Sequence, residues 1–313
     1  MISVIIPVAD DWKRLSLTLS SLLAQSMDKR SWEVCLVPKD VDSGLDPLLS
    51  VFTPLLSIRC SKRHGKTRAE ARNLGVEMSR GEVLVFVDCD LIQTPCFLQE
   101  HCKHHESGNS RVVVGEVRRL YFSKVEKVFG ELIRNPSQYD WLLDRLPAFH
   151  VKSRPDPYFS LTRIPFKNGK NPIPWISMGT NNVSMRRSDF EALGGFDTEF
   201  QGWGYDNMEL ALRLYKKGVE FVYEPRAMNY HLMHPIDHKK RLQDIERNFN
   251  IFKKKHPSRE LEAYWRFIQG ELSIEELAWQ TSQTSLPISS EKHFYREYQS
   301  LLHWLHQSHA HVS

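Results

Sequence analysis

Residues 80–90 read Arg80-Gly-Glu-Val-Leu-Val-Phe-Val-Asp-Cys-Asp90. A glycine stop, an uninterrupted apolar run at Val83–Val87 and two carboxylates directly after it describe a buried strand of the kind found at the centre of a parallel sheet. In open α/β sheets ligands bind at the carboxyl ends of strands, so Asp88-Cys89-Asp90 is the first place to look for chemistry. Outward from this stretch, Ser3–Val8 is a short β-branched strand. Lys13–Ser26 carries Leu15, Leu19, Leu22 and Leu23 at helical spacing. Trp32–Val37 reads as a second strand, Ser57–Cys60 as a short third, and Arg68–Ser79 as a helix stopped by Gly81. Strand and helix in alternation predict an α/β fold: a central, mostly parallel sheet flanked by helices.

The chain has 313 residues, 41 % of them hydrophobic and 26 % charged, with a formal net charge of +4. That composition excludes disordered, collagen-like and coiled-coil classes. The charge is too mild to argue for nucleic acid. The five cysteines are an odd number with no CxxC pair, which argues against a disulfide framework or a structural zinc site. Cys35 and Cys89 read as buried, reduced thiols. The N-terminus lacks the features of a signal peptide, and no apolar window is long enough for a transmembrane helix. The expected setting is the cytoplasm, with peripheral contact at the inner membrane face as an option. Fourteen histidines stand out, several in short groups.

Further along, residues 116–175 are rich in aromatic and basic residues and in proline, and read as an irregular insertion, an acceptor-binding region or lid. Helical periodicity returns at Asp189–Leu193 and Glu209–Lys217, and Val219–Tyr223 is a strand. The chain then divides into residues 1–115, 116–175, 176–235 and a helical extension at 236–313, broken at Pro257 and around Pro287. The extension mixes Trp265, Phe267, Trp279, Phe294, Tyr295, Tyr298 and Trp304 with Lys and Arg. Packing on the rest of the chain, a homo-oligomer interface, a lid and a membrane-surface patch all suit that mixture.

Two carboxylates at i and i+2 after a strand can face one hard divalent cation, which in turn can bridge a diphosphate. Ser3-Val-Ile-Ile-Pro-Val8, Arg68-Ala-Glu-Ala-Arg-Asn-Leu-Gly-Val76 and Arg80–Asp90 together resemble family 2 glycosyltransferases of GT-A (Rossmann-like) fold. The resemblance implies a nucleotide-sugar donor, with Asp88 near the ribose and Asp90 as direct metal ligand. It places Pro7, Val8, Asp40, Arg68, Arg72, Asp88 and Cys89 on the nucleotide-sugar side, with Asn73 beside them. The second strand departs from the family pattern: its acids are slipped, at Val37-Pro-Lys-Asp40-Val-Asp42. Asp10 and Asp11 are secondary candidates after the first strand.

A second block, Met178-Gly-Thr-Asn-Asn182 through Asp197, continues into Gln201-Gly-Trp-Gly-Tyr-Asp-Asn-Met-Glu209. It resembles the acceptor half of β-1,4-galactosyltransferases, chondroitin-polymerase-like enzymes and polypeptide N-acetylgalactosaminyltransferases. Glycines let backbone approach a sugar, Trp203 offers a stacking face, and acids at a helix start are favoured by its dipole. The resemblance assigns Gly179, Asn181, Trp203 and Gly204 to the acceptor or sugar, and Asp206, Asn207 and Glu209 to catalysis. Asn207 stands where inverting relatives carry their base, and an amide takes no proton. Three readings follow: Asp206 as a shifted base, a retaining enzyme, or an intrinsically nucleophilic acceptor. Asp206 as base is preferred.

A third block, Glu224-Pro-Arg-Ala-Met-Asn-Tyr-His231-Leu-Met-His234-Pro235, resembles the metal-binding end of galactosyltransferases. It implies His231 as metal ligand, with His234 the alternative and Met228 as packing. The expected function is transfer of a hexose or N-acetylhexosamine from a UDP-sugar to a glycan, lipid-linked or peptide acceptor, with Mn²⁺ or Mg²⁺. The competing readings are a catalytically silent subunit of the same fold and a nucleotidyltransferase. His101, His104 and His105 read as a surface helical face, and His303, His306, His309 and His311 as a solvated terminus.

Overall fold

The computed structural model describes residues 1–9, 11–39, 45–106, 108–121, 140–167, 171–235 and 237–282. Among them, nine strands form one sheet: β1 (Ile2–Val8), β2 (Trp32–Pro38), β3 (Ile58–Cys60), β4 (Val83–Phe86), β5 (Leu91–Gln93), β6 (Arg111–Leu120), β7 (Arg154–Pro155), β8 (Val183–Arg186) and β9 (Glu220–Leu232). The helices are α1 (Trp12–Leu23), α2 (Leu45–Phe52), α3 (Arg68–Met78), α4 (Phe97–Cys102), α5 (Asp140–Lys152), α6 (Pro157–Lys167), α7 (Arg187–Glu191), α8 (Asp206–Lys216), α9 (His238–Lys255), α10 (Arg259–Ile268) and α11 (Ile274–Ser282). The strand order is β3-β2-β1-β4-β8-β6-β9-β5, with β7 on β6.

The first four strands in that order run parallel. β1 and β2 are covered on both sides, which is why they read as continuous apolar runs. The far half is mixed: β8 is antiparallel to β4 and β6, while β9 is parallel to β6 and antiparallel to β5. Leu15, Leu19, Leu22 and Leu23 of α1 pack into the cluster that holds Val34 and Phe52. A second cluster joins Phe86 and Val114 to Phe196, Leu210, Phe252 and Tyr264, so α8, α9 and α10 pack on the sheet's core.

Two expectations need correction. The 116–175 stretch is not an irregular insertion throughout: residues 116–120 complete β6, and α5 and α6 follow. Prolines 147 and 165 lie inside those helices. A helix proline removes a donor and reads as a break. Buried Leu142, Phe149 and Leu161 anchor these helices by packing instead. Likewise, β9 runs nine residues beyond Tyr223, to Leu232. The break at Pro257 stands between α9 and α10, where Ser258 caps α10. Pro287 and the last histidine group lie outside the described residues.

The histidine group in and just after α4 is not a surface face. His101 and His105 are buried, and His104 hydrogen-bonds Glu224 at 2.9 Å. Asn182 Nδ2 donates to the carbonyls of Glu116 and Ala227, which fixes its amide. Its Oδ1 therefore accepts from His101 Nε2 at 2.9 Å. His101 Nδ1 is then left to accept from Ser184 Oγ at 2.9 Å, and Ser184 accepts from His105 Nε2 at 2.8 Å. This chain needs a neutral His101, which donates from one nitrogen and accepts at the other, while the buried Nδ1 of His105 has no partner among the described residues to receive a second proton. Burial depresses the His101 pKa to about 3 and the His105 pKa to about 4. Because the unfolded chain takes up protons first, stability is fully present near pH 7.5 and falls as pH drops below 6.5. The expected loss is on the order of 2 kcal/mol per histidine by pH 5, read by urea unfolding. In the His105→Gln variant the amide still donates to Ser184 without titrating, so its acid loss should be smaller by about that amount. An equal loss would refute the assignment.

Candidate active site

The Asp88-Cys89-Asp90 turn leaves β4 at the carboxyl ends of the parallel strands. Thr18 of α1 clamps it: its hydroxyl donates to the Cys89 carbonyl at 2.9 Å and accepts from the Leu91 amide at 3.1 Å. β5 follows at once and pairs antiparallel with β9, setting Leu91 against His231. The Leu232 amide donates to the Asp90 carbonyl at 2.9 Å. Sheet pairing thus brings together two residues 141 positions apart, and His231 Nε2 lies 3.1 Å from Asp90 Oδ2.

His234 Nε2 lies 3.3 Å from the same oxygen. Its Nδ1 faces the Pro235 carbonyl at 2.9 Å, so that nitrogen carries the hydrogen and Nε2 of the neutral ring holds a free lone pair. Asp90 Oδ1 is buried and takes no hydrogen bond among the described residues. Burial opposes the charged Asp90, but the hydrogen bonds and charges of both histidines outweigh it and hold the pKa well below the usual carboxylate range. Burial likewise opposes charge on His231, and Asp90 overrides it and raises the pKa; for His234 the hydrogen bond to Asp90 is the main cause of a rise. The donor atoms of the three side chains lie within 4.8 Å of one another. One carboxylate, two imidazoles and an unsatisfied buried oxygen fit a divalent cation. Both histidines named on sequence belong to this cluster. Met228 packs beside Ile92 and Tyr230.

Arg72 reaches the site from α3. It is 2 % exposed, donates to Asp88 at 3.1 Å and to Asp206 at 2.8 Å, and lies over Phe196. Both ends are engaged, so Arg72 ties the turn after β4 to the start of α8. Asn73 is engaged too, exchanging two hydrogen bonds with the Phe196 backbone. Cys89 contributes backbone only: burial pushes its thiol far above the usual range. All five cysteines are free, and Cys35 is buried with Cys89. Pro7 and Val8 end β1 beside β2, and Arg68 is exposed at the start of α3. Asp11 caps α1. Asp10 and Asp40 lie outside the described residues.

The Gly-Trp-Gly loop is held by α9, which the sequence did not mark as part of the site. Asp244 accepts from the Trp203 amide at 3.1 Å, and Asn248 Nδ2 donates to the carbonyls of Gln201, Trp203 and Gly204. Gly202, Gly204 and Tyr205 adopt positive φ, at 71°, 101° and 71°. For Tyr205 that is strained, and its ring is fixed by Phe249, Phe252 and Tyr264. A Cβ at Gly202 would lie 2.1 Å from Asp244 Oδ2. The Gly202→Ala variant is therefore expected to lose about 2 kcal/mol or more in urea unfolding, from the left-handed backbone and the clash. A loss within about 0.5 kcal/mol would show that the loop is not clamped.

Asp206 opens α8 with its carboxylate on Arg72. The Asn207 amide is engaged with the Met178 carbonyl. Glu209, grouped with the catalytic residues on sequence, is buried, and its oxygens are taken by Arg213 at 2.6–2.7 Å and His256 at 2.8 Å. Trp203 carries the Arg241 guanidinium 3.6 Å from its ring centroid, so an arginine covers one stacking face. A Cβ at Gly179 would meet the Phe159 ring at 2.4 Å. Asn181 accepts from Asn229 through its carbonyl at 2.8 Å, and its buried Oδ1 has no protein partner among the described residues.

The sequence profile of glycosyl transferase family 2 matches residues 3–173, more than half of the chain. The chain belongs to that family. In this family 2 glycosyltransferase, the profile of the N-terminal domain of galactosyltransferase matches residues 166–239. Validoxylamine A glucosyltransferase of Streptomyces hygroscopicus subsp. jinggangensis (strain 5008) is 26 % identical over 297 residues, covering 90 % of this chain and 68 % of that protein. The mannosyltransferase of Pyrobaculum calidifontis, solved with GDP-Man and Mn²⁺, superposes with a TM-score of 0.63 at 16 % identity, covering 97 % of this chain and 84 % of that one. GalNAc-T7, solved with UDP, GalNAc and Mn²⁺, gives 0.59 at 14 %, covering 96 % and 54 %. The glycosyltransferase has the GT-A fold. Among the described residues, no helix is long and apolar enough to cross a membrane.

Proposed function

We propose that this glycosyltransferase moves a hexose or N-acetylhexosamine from a UDP-sugar to a hydroxyl of a glycan, lipid-linked or peptide acceptor, with inversion and with Asp206 as base. The observation that carries the reading is the buried Asp90 carboxylate faced by His231 and His234. Those three side chains would hold a divalent metal, Mn²⁺ or Mg²⁺, which when bound neutralises the departing diphosphate. The UDP preference is supported by a fold neighbour solved with UDP, and the hexosyl class by the glucosyltransferase relative.

The chain's own residues supply the remainder. Arg72 fixes Asp88 and Asp206 relative to one another, so nucleotide side and acceptor side share one rigid link. Asp206 is the protonatable group at the start of α8, because Asn207 cannot take a proton and its amide already serves Met178. A sugar-side role for Asn181 is supported by its buried Oδ1, which has no protein partner among the described residues.

A donor panel with and without Mn²⁺ tests this, with UDP release and product mass as readouts. Metal-dependent release from a UDP-sugar and an inverted product are expected. UDP binding without release or transfer would instead establish the silent subunit, and a product of retained configuration would remove Asp206 from the base role.

A further inference from the structure

Arg241 of α9 is a half-buried cation whose guanidinium donates no hydrogen bond among the described residues. Its guanidinium carbon lies over Trp203, 3.6 Å from the ring centroid, the spacing of a face-on stack. Stacking engages the face of the group and leaves its N–H donors pointing outward in the plane, the geometry that grips a carboxylate or phosphate. Among the described residues, no carboxylate forms an ion pair with Arg241 or with Arg68. Arg119 stands nearby and donates to Asp156 at 2.7 Å, and Arg68, Asp156 and Arg119 all act electrostatically on Arg241. Burial, then the like charges of Arg68 and Arg119, pull the Arg241 pKa down to about 10. Crowded cations of this kind gain when an anion binds.

The position of the cluster says which anion. Arg119 sits opposite His231 in the β6–β9 register. Arg68 lies one helical turn before Arg72, the residue that holds Asp206. Arg241 rests on the loop that presents Asp206, three residues after Trp203. The cluster therefore borders the acceptor side of the site. We infer that Arg119 and Arg241, with Arg68 at the edge, form a subsite for an oxyanion on the acceptor, a phosphate or carboxylate carried close to the reacting hydroxyl. This rests on the glycosyl-transfer reading above.

Isothermal titration calorimetry on the full chain, with UDP and Mn²⁺ saturating, compares glucose, glucuronate and glucose 6-phosphate as probes. A charged probe is expected to bind at least about tenfold more tightly than glucose, and that advantage should vanish in the Arg241→Gln variant. UDP affinity of the variant should stay within about twofold of wild type. An advantage for glucuronate identifies a carboxylate as the source, and one for glucose 6-phosphate a phosphate. Equal affinity for all three probes in a wild-type protein that binds UDP overturns the subsite. So does an Arg241→Gln variant that loses UDP affinity, which would assign the cluster to the donor diphosphate. A wild-type chain that binds no UDP overturns the glycosyl-transfer reading itself. The Arg119→Gln variant gives an independent measurement, with the same loss expected, wherever Arg241→Gln fails to fold.

Discussion

The Asp90→Ala variant is expected to transfer sugar about a thousandfold more slowly than wild type, or less, at saturating donor and Mn²⁺. The side chain is buried, and both its imidazole neighbours are aimed at one of its oxygens. Removing it leaves His231 and His234 facing each other with no anion between them. The backbone around it survives, because Thr18 and Leu232 bind main-chain atoms of the turn. Loss of activity with a preserved unfolding transition is therefore the expected pattern. Metal affinity, read by calorimetry, should fall with the rate. The His234→Ala variant keeps Asp90 and His231, and its metal affinity should fall by about 10- to 100-fold. Undiminished transfer by Asp90→Ala, or transfer by wild type unaffected by a chelator, would overturn the metal assignment.

The second large effect concerns Asp206. The Asp206→Asn variant keeps the shape of the side chain and removes its ability to take a proton. kcat should fall by about 10²- to 10⁴-fold, the usual span for a lost general base, while donor affinity stays near wild type. The adjacent amide is the internal control. Asn207 serves the Met178 carbonyl, so the Asn207→Ala variant should affect acceptor KM more than kcat. An unchanged kcat in Asp206→Asn, or a product of retained configuration from wild type, would refute the base role.

The parallel half of the sheet was legible because its strands are buried on both faces and alternate with amphipathic helices. β5 was not, because Leu91-Ile92-Gln93 is three residues long, too short for a periodic signal. β5 nonetheless closes the distance between Asp90 and His231. Asp90 and His231 were named from motifs, with His234 as the alternative ligand, yet only the pairing of β5 with β9 gives their meeting a reason. The support shell was hidden for another cause. Asp244, Asn248 and Arg241 lie on a helix whose sequence reads as an ordinary charged surface, and nothing in spacing says that one face grips a loop forty residues earlier. Arg72 was legible as a residue of the site but not in its partners: a basic helix start suggests phosphate contact, and the fold sets that guanidinium on Asp88 and Asp206. His101 and His105 misled because histidine carries no sign of its protonation state. Their burial follows from how α4 and the turn after it lie on the sheet, with both rings on Ser184 of β8, which periodicity over six residues does not reveal.

Asp90 and His231 meet across 141 residues, and that separation sets an order in time. At about 5–20 residues per second, a ribosome needs roughly 7–28 s to advance from one to the other. Throughout that interval β5 has no partner strand and the Asp90 carboxylate no imidazole. The parallel strands β1 to β4 are by then available to pair, but the centre is completed only when β9 emerges and docks beside β6. A nascent chain thus carries half a site and no working one, and competence arrives with the last strand of the sheet.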